Sequence, residues 1–146
     1  MTADQLCLLA AGLFFLSGLL TGLWKYRCMA TSPEASAPVY VDIAHRASLM
    51  YSFAAILLRE FVPYSPLGPT GTLWAVGAPL LFFALAISTY VLHGILRDTD
   101  NQLRQPHRLG QGTISGLLIH GFMVLLVIAE IGGFSVLLYG FLLSVF

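Results

Sequence analysis

The sequence predicts an all-α fold, an integral membrane bundle of four helices in a single domain. Of its 146 residues, 58% are hydrophobic and only 10% are charged, and the mean hydropathy is +0.84, which is far more apolar than a soluble domain. The apolar residues gather in four long segments, and a helix needs about 20 residues to cross roughly 30 Å of hydrocarbon. We therefore expect one domain over residues 1–146, with no room for a soluble catalytic module.

We predict the first span at residues 6–24. The run from Leu6 to Trp24 is 19 residues long and no basic residue precedes it, so we expect a retained span rather than a signal peptide. Within it, Gly18 and Gly22 form a GxxxG pattern that lets a neighbouring helix approach closely. The alternative is that these glycines reflect only the general abundance of glycine in membrane helices.

The second span, predicted at 42–62, is the most polar of the four. Only 12 uncharged residues separate Arg46 from Arg59, so this helix must carry charge at a membrane boundary. Asp42 and Arg46 are four residues apart, a spacing that lets them pair on one helix face.

The third and fourth spans are predicted at 72–96 and 113–137, joined by a polar loop. The apolar stretch from Thr113 to Phe146 is 34 residues long, more than one span needs, so we expect a kink at Gly132–Gly133 or a projecting tail. Glu130 is an acid deep in this apolar stretch. We favour an ion pair with Arg59 at the far membrane face, and the alternative is a functional acid.

Three histidines fall at the same end of the predicted bundle. His45 lies near the start of the second span, His93 near the end of the third and His120 near the start of the fourth. Antiparallel packing brings these ends together, and imidazole is both costly in a bilayer and the commonest ligand for metals or haem iron. This places one candidate site at this end. We expect His107, in the loop, to be solvated.

The small residues beside His45 leave room for a flat macrocycle or a substrate, although a hydrogen bond to an interfacial carbonyl would also explain this histidine. In the third span, Ala86, Tyr90, His93 and Arg97 form one helical stripe. The Tyr90 phenol suits a hydrogen-bond donor, the His93 imidazole suits a ligand, and the Arg97 guanidinium suits an anchor for a haem propionate. The alternative is an aromatic belt with a basic interface. His120 is either a second ligand or a packing contact.

Several function classes receive no support from the sequence. It contains no GxSxG motif, phosphate-binding loop, HExxH motif or cysteine pair with zinc spacing. No CxxCH motif is present, so any haem would be held noncovalently. Seven basic residues balance seven acidic ones, which gives no argument for a nucleic-acid partner. Cys7 and Cys28 lie at opposite ends of the first span, roughly 30 Å apart and too far for a disulfide.

The distribution of basic residues predicts the orientation of the bundle. Six of the seven lie at the histidine-bearing end, and Arg59 alone lies at the other. By the positive-inside rule, the histidine-bearing end is cytoplasmic. We expect a multi-pass protein of a bacterial-type inner (plasma) membrane.

The first helix ends in Gly18-Leu-Leu-Thr-Gly22-Leu-Trp24, and Ala44-His45 opens the second helix after a loop. This arrangement resembles the small membrane isomerases that include styrene oxide isomerase and hydroxylaminobenzene mutase. The resemblance implies four helices per subunit in a homotrimer, with ferric haem b between subunits and His45 as the axial iron ligand.

The resemblance also implies a reaction and a set of site residues. A small apolar or aromatic epoxide would arrive from the bilayer, and iron acting as a Lewis acid would open it to an aldehyde. Tyr90 corresponds to the family tyrosine that bonds the substrate oxygen. Where the family has an asparagine six residues after the ligand histidine, this chain has Tyr51, which we include among the catalytic residues. Apart from the resemblance, their positions at the histidine-bearing end make Arg46, His93, Arg97 and His120 the remaining cofactor-binding candidates.

Two other functions fit the same residues. The first is a b-type cytochrome or quinone-linked electron-transfer subunit, in which His45 and either His93 or His120 close both axial positions of a haem. The second is a non-enzymatic helical subunit of a membrane assembly. The number of histidines that ligate iron separates the isomerase from the cytochrome.

Overall fold

The protein is a bundle of four long helices joined by short connections, as the computed structural model describes for all residues 1–146. In chain order these are α1 (Ala3–Thr31), α2 (Val39–Phe61), α3 (Pro69–Leu96) and α4 (Gly116–Val145). A 3-10 turn at Val62–Tyr64 follows α2, and the loop before α4 contains a hairpin of β1 (Arg108–Leu109) and β2 (Gly112–Thr113). Each of the four helices is long and apolar enough to cross a membrane, which confirms the predicted all-α class.

The helices coincide with the predicted spans but differ from them at their ends. Helix α1 continues beyond Trp24 to Thr31. Lys25, Tyr26 and Arg27, which follow the predicted span, therefore lie on the helix. Helix α4 starts at Gly116 rather than at 113 because Thr113 is paired with Arg108 in the hairpin. Helix α4 continues without a break through Gly132–Gly133 over its 30 residues, so the two glycines do not end the helix. At about 45 Å, it is longer than the hydrocarbon layer.

Local sequence signals explain where the helices begin and end. At the start of α1, the Thr2 side chain accepts a hydrogen bond from the Gln5 amide, and the Gln5 side chain accepts one from the Thr2 amide, which is a capping box. Pro69 occupies the first turn of α3, where its missing amide costs nothing. Arg97 ends α3 in the left-handed region at φ 51°, and this turns the chain away from the helix axis.

The two glycines of the GxxxG pattern mark a close contact between α1 and α2. A Cβ atom on Gly18 would lie 2.5 Å from Leu49 Cδ2, and one on Gly22 would lie 2.8 Å from His45 Cε1. Both distances are too short for a real carbon contact. The predicted close approach is therefore confirmed, and α2 is the helix that makes it.

Helix α4 is the least buried helix of the bundle. Its only buried residues are Leu137 and Gly140. It reaches its neighbours through glycines: Gly133 packs on the Ala75 carbonyl and Pro79, and Gly140 packs on the Tyr64 carbonyl. Most of its large apolar side chains point outward, an arrangement that lipid tolerates because lipid is as apolar as the side chains themselves.

Arg59 pairs with Asp4 rather than with Glu130, so that prediction is wrong. Arg59 Nε donates to Asp4 Oδ1 over 2.8 Å. Asp4 starts α1 and Arg59 ends α2, and antiparallel packing puts both at the same end of the bundle. Glu130 lies 14 residues into the 30-residue α4, near the middle of the bundle. Arg59 lies at one end of the bundle, so the two residues are at different levels along the bundle axis.

Candidate functional site

His45 is oriented by the backbone of α1. Its Nδ1 atom lies 2.8 Å from the Gly18 carbonyl oxygen, and its ring lies over Gly22, whose missing side chain leaves room for it. A carbonyl only accepts, so Nδ1 carries the proton and Nε2 keeps its lone pair. Nε2 has no hydrogen-bond partner within the chain, and the residue is half-buried. The interfacial carbonyl bond considered for this histidine is present, and it leaves the other nitrogen free to ligate.

Small polar side chains fill the α1–α2 contact beside His45. Ser48 is fully buried and donates to the Ala44 carbonyl over 2.7 Å. Thr21 donates to the Ser17 carbonyl over 2.7 Å and also contacts the Gly18 carbonyl oxygen. These hydroxyl groups are satisfied by their own helices and make no hydrogen bond to His45.

A second polar group lies between α2, α3 and α4. Tyr51 stacks on Phe83 with ring centroids 4.2 Å apart and an interplanar angle of 13°. The Tyr90 phenol and the Glu130 carboxylate lie near the Tyr51 phenol. The Oε1 atom of Glu130 is buried and has no hydrogen-bond partner. The two predicted catalytic tyrosines are thus together, with an acid beside them.

His93 is buried at the end of α3 and pairs with an acid in the following loop. His93 Nδ1 lies 2.8 Å from Asp98 Oδ1, and the side chains are 6% and 3% exposed. Asp98 Oδ2 also accepts the Gly110 amide. Burial by itself would raise the pKa of Asp98, but these two hydrogen bonds outweigh burial and hold the pKa below its usual value. His93 further packs on Tyr40, with ring centroids 5.0 Å apart.

The two arginines predicted to bind the cofactor lie at the histidine-bearing end on the outside of the bundle. Arg46 is exposed and pairs with Asp42 over 2.7 Å, which confirms the predicted pairing four residues apart. Lys25 of α1 contacts the same carboxylate over 2.5 Å. Arg97 is exposed and stands at the left-handed end of α3, beyond the regular helical stripe on which Tyr90 and His93 lie.

His107 is buried, so the expectation that it is solvated is wrong. Only 5% of the residue is exposed, because the loop folds it against the start of α4. Its Nδ1 lies 3.2 Å from the Gln102 carbonyl oxygen, and its Nε2 is buried without a partner. The exposed side chain of His120 lies beside it, with ring centroids 5.7 Å apart. His120 thus contacts another histidine rather than standing alone.

Sequence reasoning missed two residues that organise this end of the protein. Asp98 binds His93 and the Gly110 amide, and the Tyr40 hydroxyl accepts the Gln102 amide over 2.6 Å. Asp98 was detectable as an acid five residues after a helix-terminal histidine. Tyr40 gave no such signal, since Gln102 lies 62 positions later in the chain and His93 belongs to another helix.

The structure divides the predicted site residues into three groups. His45 lies on the α1 side of α2, Tyr51 and Tyr90 lie between α2 and α3, and His93 and His120 lie near the loop that joins α3 to α4. Comparison with protein-family models, with curated proteins and with solved structures gave no match for this chain.

Proposed function

We propose that this protein is a haem-b-dependent membrane isomerase that converts small apolar or aromatic epoxides to aldehydes. The observation that carries the proposal is the orientation of His45, whose Nδ1 is bound by the Gly18 carbonyl while its Nε2 is free. The resemblance to the styrene oxide isomerase group supports the reaction class.

His45 fits the requirements of an axial haem ligand. An iron ligand must present a neutral imidazole nitrogen with its lone pair, and ligand histidines almost always donate their other N–H to a carbonyl or carboxylate. The Gly18 carbonyl supplies that acceptor. Because Gly18 and Gly22 let α2 approach α1, the glycine pair also sets the position of the ring. No covalent attachment motif is needed for a haem held in this way.

The phenol pair supplies the second part of the site. Ferric haem supplies a Lewis acid at the epoxide oxygen. Tyr90 donates a hydrogen bond to that oxygen, where negative charge develops as the carbon–oxygen bond opens. Tyr51 lies near the Tyr90 phenol and is held by stacking on Phe83, so its role would be to orient the donor.

The arrangement of these residues around α2 favours an oligomer. His45 and Tyr51 are six residues apart, which is about 120° around a helix. One faces α1 and the other faces α3. A single copy therefore presents the ligand and the phenols on different sides. In a homotrimer, the phenols of one copy would complete the site that His45 of its neighbour begins.

One observation favours an electron-transfer protein instead. His93 Nδ1 is bound by Asp98, which is also a common arrangement for a ligand histidine. If His93 and His45 both ligated haem, from one copy or from two, the iron would have no open position. A six-coordinate haem of this kind carries electrons and does not bind an epoxide.

Absorption and EPR spectra of the detergent-purified protein test both functions. We expect a Soret band, ferric iron with an exchangeable sixth position, and aldehyde formation from styrene oxide. We expect His45→Ala to lose most of the haem, whereas His93→Ala and His120→Ala, its matched controls, retain it. Low-spin bis-histidine iron would favour electron transfer. A haem-free protein with no isomerase activity would contradict the proposal.

A further inference from the structure

We propose that His107 and His120 form a binding site for one divalent transition-metal ion of the zinc or copper class. The site joins the loop between α3 and α4 to the first turns of α4. It uses neither His45 nor the tyrosines, so it does not depend on the proposed isomerase function.

The first observation is an orphaned nitrogen. His107 is 5% exposed, and its Nε2 is buried with no hydrogen-bond partner. The Gln102 carbonyl lies 3.2 Å from Nδ1 and can only accept, so Nδ1 carries the proton. Nε2 therefore presents a bare lone pair, which is the form that binds a metal ion. Buried polar atoms are nearly always satisfied in native proteins.

The second observation is the position of His120. Its ring centroid lies 5.7 Å from that of His107, at an interplanar angle of 80°. Zinc–nitrogen bonds of about 2.0 Å at a tetrahedral angle place two imidazole centroids about 5 Å apart. The centroids would need to approach by less than about 1 Å, and the exposed side chain of His120 is the one that would move.

The third observation is the glycine beside the two rings. A Cβ atom on Gly116 would lie 3.4 Å from His107 Nε2 and 4.0 Å from His120 Cδ2. Position 116 therefore borders both imidazoles, and glycine places no side chain against His107 Nε2. By contrast, a Cβ atom on Gly121, in the same helix, would meet nothing within 4 Å.

These features select the metal class. Neutral imidazole suits zinc, copper and nickel, whereas magnesium and calcium require oxygen ligands. Two histidines leave two coordination positions for water on the exposed side of His120, so we expect moderate affinity. Bound metal would tie residues 107 and 120 together and so fix the loop against α4.

The test is calorimetric titration of Zn²⁺ into untagged, EDTA-treated protein in detergent. We expect one Zn²⁺ per chain with a Kd in the micromolar range, weakened at least about tenfold by His107→Ala or His120→Ala. Gly116→Ala should also weaken binding, because its methyl group would stand against His107 Nε2, where the metal binds, without removing a ligand. Gly121→Ala should bind like the wild type.

The test distinguishes this site from adventitious binding by the other histidines. An unchanged Kd in His120→Ala overturns the proposal even if His107→Ala misfolds, because the His120 side chain is exposed and its loss leaves the fold intact. Absence of saturable Zn²⁺ binding also overturns it. In that case a direct hydrogen bond from the His120 ring to His107 Nε2 would satisfy the orphaned atom.

Discussion

The imidazole of His45 in α2 is held by the backbone carbonyl of Gly18 in α1, over a distance of 2.8 Å. The acceptor is a main-chain atom, so no side-chain change at position 18 can delete it. The orientation of the ring instead depends on how closely the two helices pack. This relationship makes the helix contact itself part of the candidate site.

We predict that Gly22→Ala displaces His45, because the new Cβ atom would lie 2.8 Å from His45 Cε1. Overpacking of this kind costs about 1–3 kcal/mol of stability, and we expect haem content to fall with it. The control is Gly12→Ala in the same helix, where a Cβ atom meets nothing within 4 Å. Thermal unfolding and haem content in detergent are the measurements. Equal behaviour of the two variants would contradict the prediction.

We predict that Tyr90→Phe retains haem but lowers isomerase turnover by roughly 10²-fold, since it removes a hydrogen bond to developing oxyanion charge. Tyr51→Phe should have a smaller effect because this residue orients Tyr90. Tyr139→Phe serves as the control, since Tyr139 is 58% exposed on α4. A turnover rate for Tyr90→Phe equal to that of the control would assign Tyr90 a packing role only.

We predict that Arg59 is coupled energetically to Asp4 and not to Glu130. The side chains of the Arg59–Asp4 pair are 36% and 48% exposed, so a coupling energy of about 0.2–1 kcal/mol is expected. Double-mutant cycles with Arg59→Gln, Asp4→Asn and Glu130→Gln, read by thermal unfolding, measure it. The prediction would be contradicted if the Arg59 and Asp4 substitutions had additive effects on the free energy of unfolding, or if the Arg59 and Glu130 substitutions were coupled.

We predict that Asp98 makes folding stability depend on acid pH. Its pKa is lowered in the folded protein by the hydrogen bonds from His93 and Gly110. Its contribution is therefore complete above the unfolded pKa of about 3.9 and is lost as pH falls through the lower folded value. Asp98→Asn should cost about 1–3 kcal/mol near neutral pH and flatten the stability profile below about pH 4. Unfolding curves that retain the wild-type acid dependence would exclude Asp98 as the cause.

We predict that the histidine-bearing end faces the cytoplasm of a bacterial-type inner membrane, because six of the seven basic residues lie there. In a background without Cys7 and Cys28, a cysteine at Gln111 should be protected from an impermeant thiol reagent in intact cells. A cysteine at Gly68, in the opposite loop, should react. Labelling at Gln111 and not at Gly68 would invert the orientation. Labelling at both would mean that α3 does not span.

Interactions local in sequence were predictable. The four helices follow from apolar runs of membrane-spanning length, since every backbone polar group in lipid must be satisfied within the helix. The Asp42–Arg46 pair follows from a four-residue spacing on one helix. The Gly18–Gly22 contact follows from the absence of side chains, which lets any neighbouring helix approach. In each case the physical cause lies within a few residues of the chain.

Interactions between distant elements were decided only by the tertiary structure. The acid that pairs with Arg59 is determined by which helix packs beside Arg59 and by the position of each carboxylate along the bundle axis. Both conditions favour Asp4 of α1 over Glu130. The burial of His107 depends on how a polar loop folds onto α4, which no periodicity describes. The separation of His45 from the tyrosines depends on how α2 is rotated between α1 and α3. Sequence spacing places a side chain on its own helix, but the packing of the other helices determines what that side chain meets.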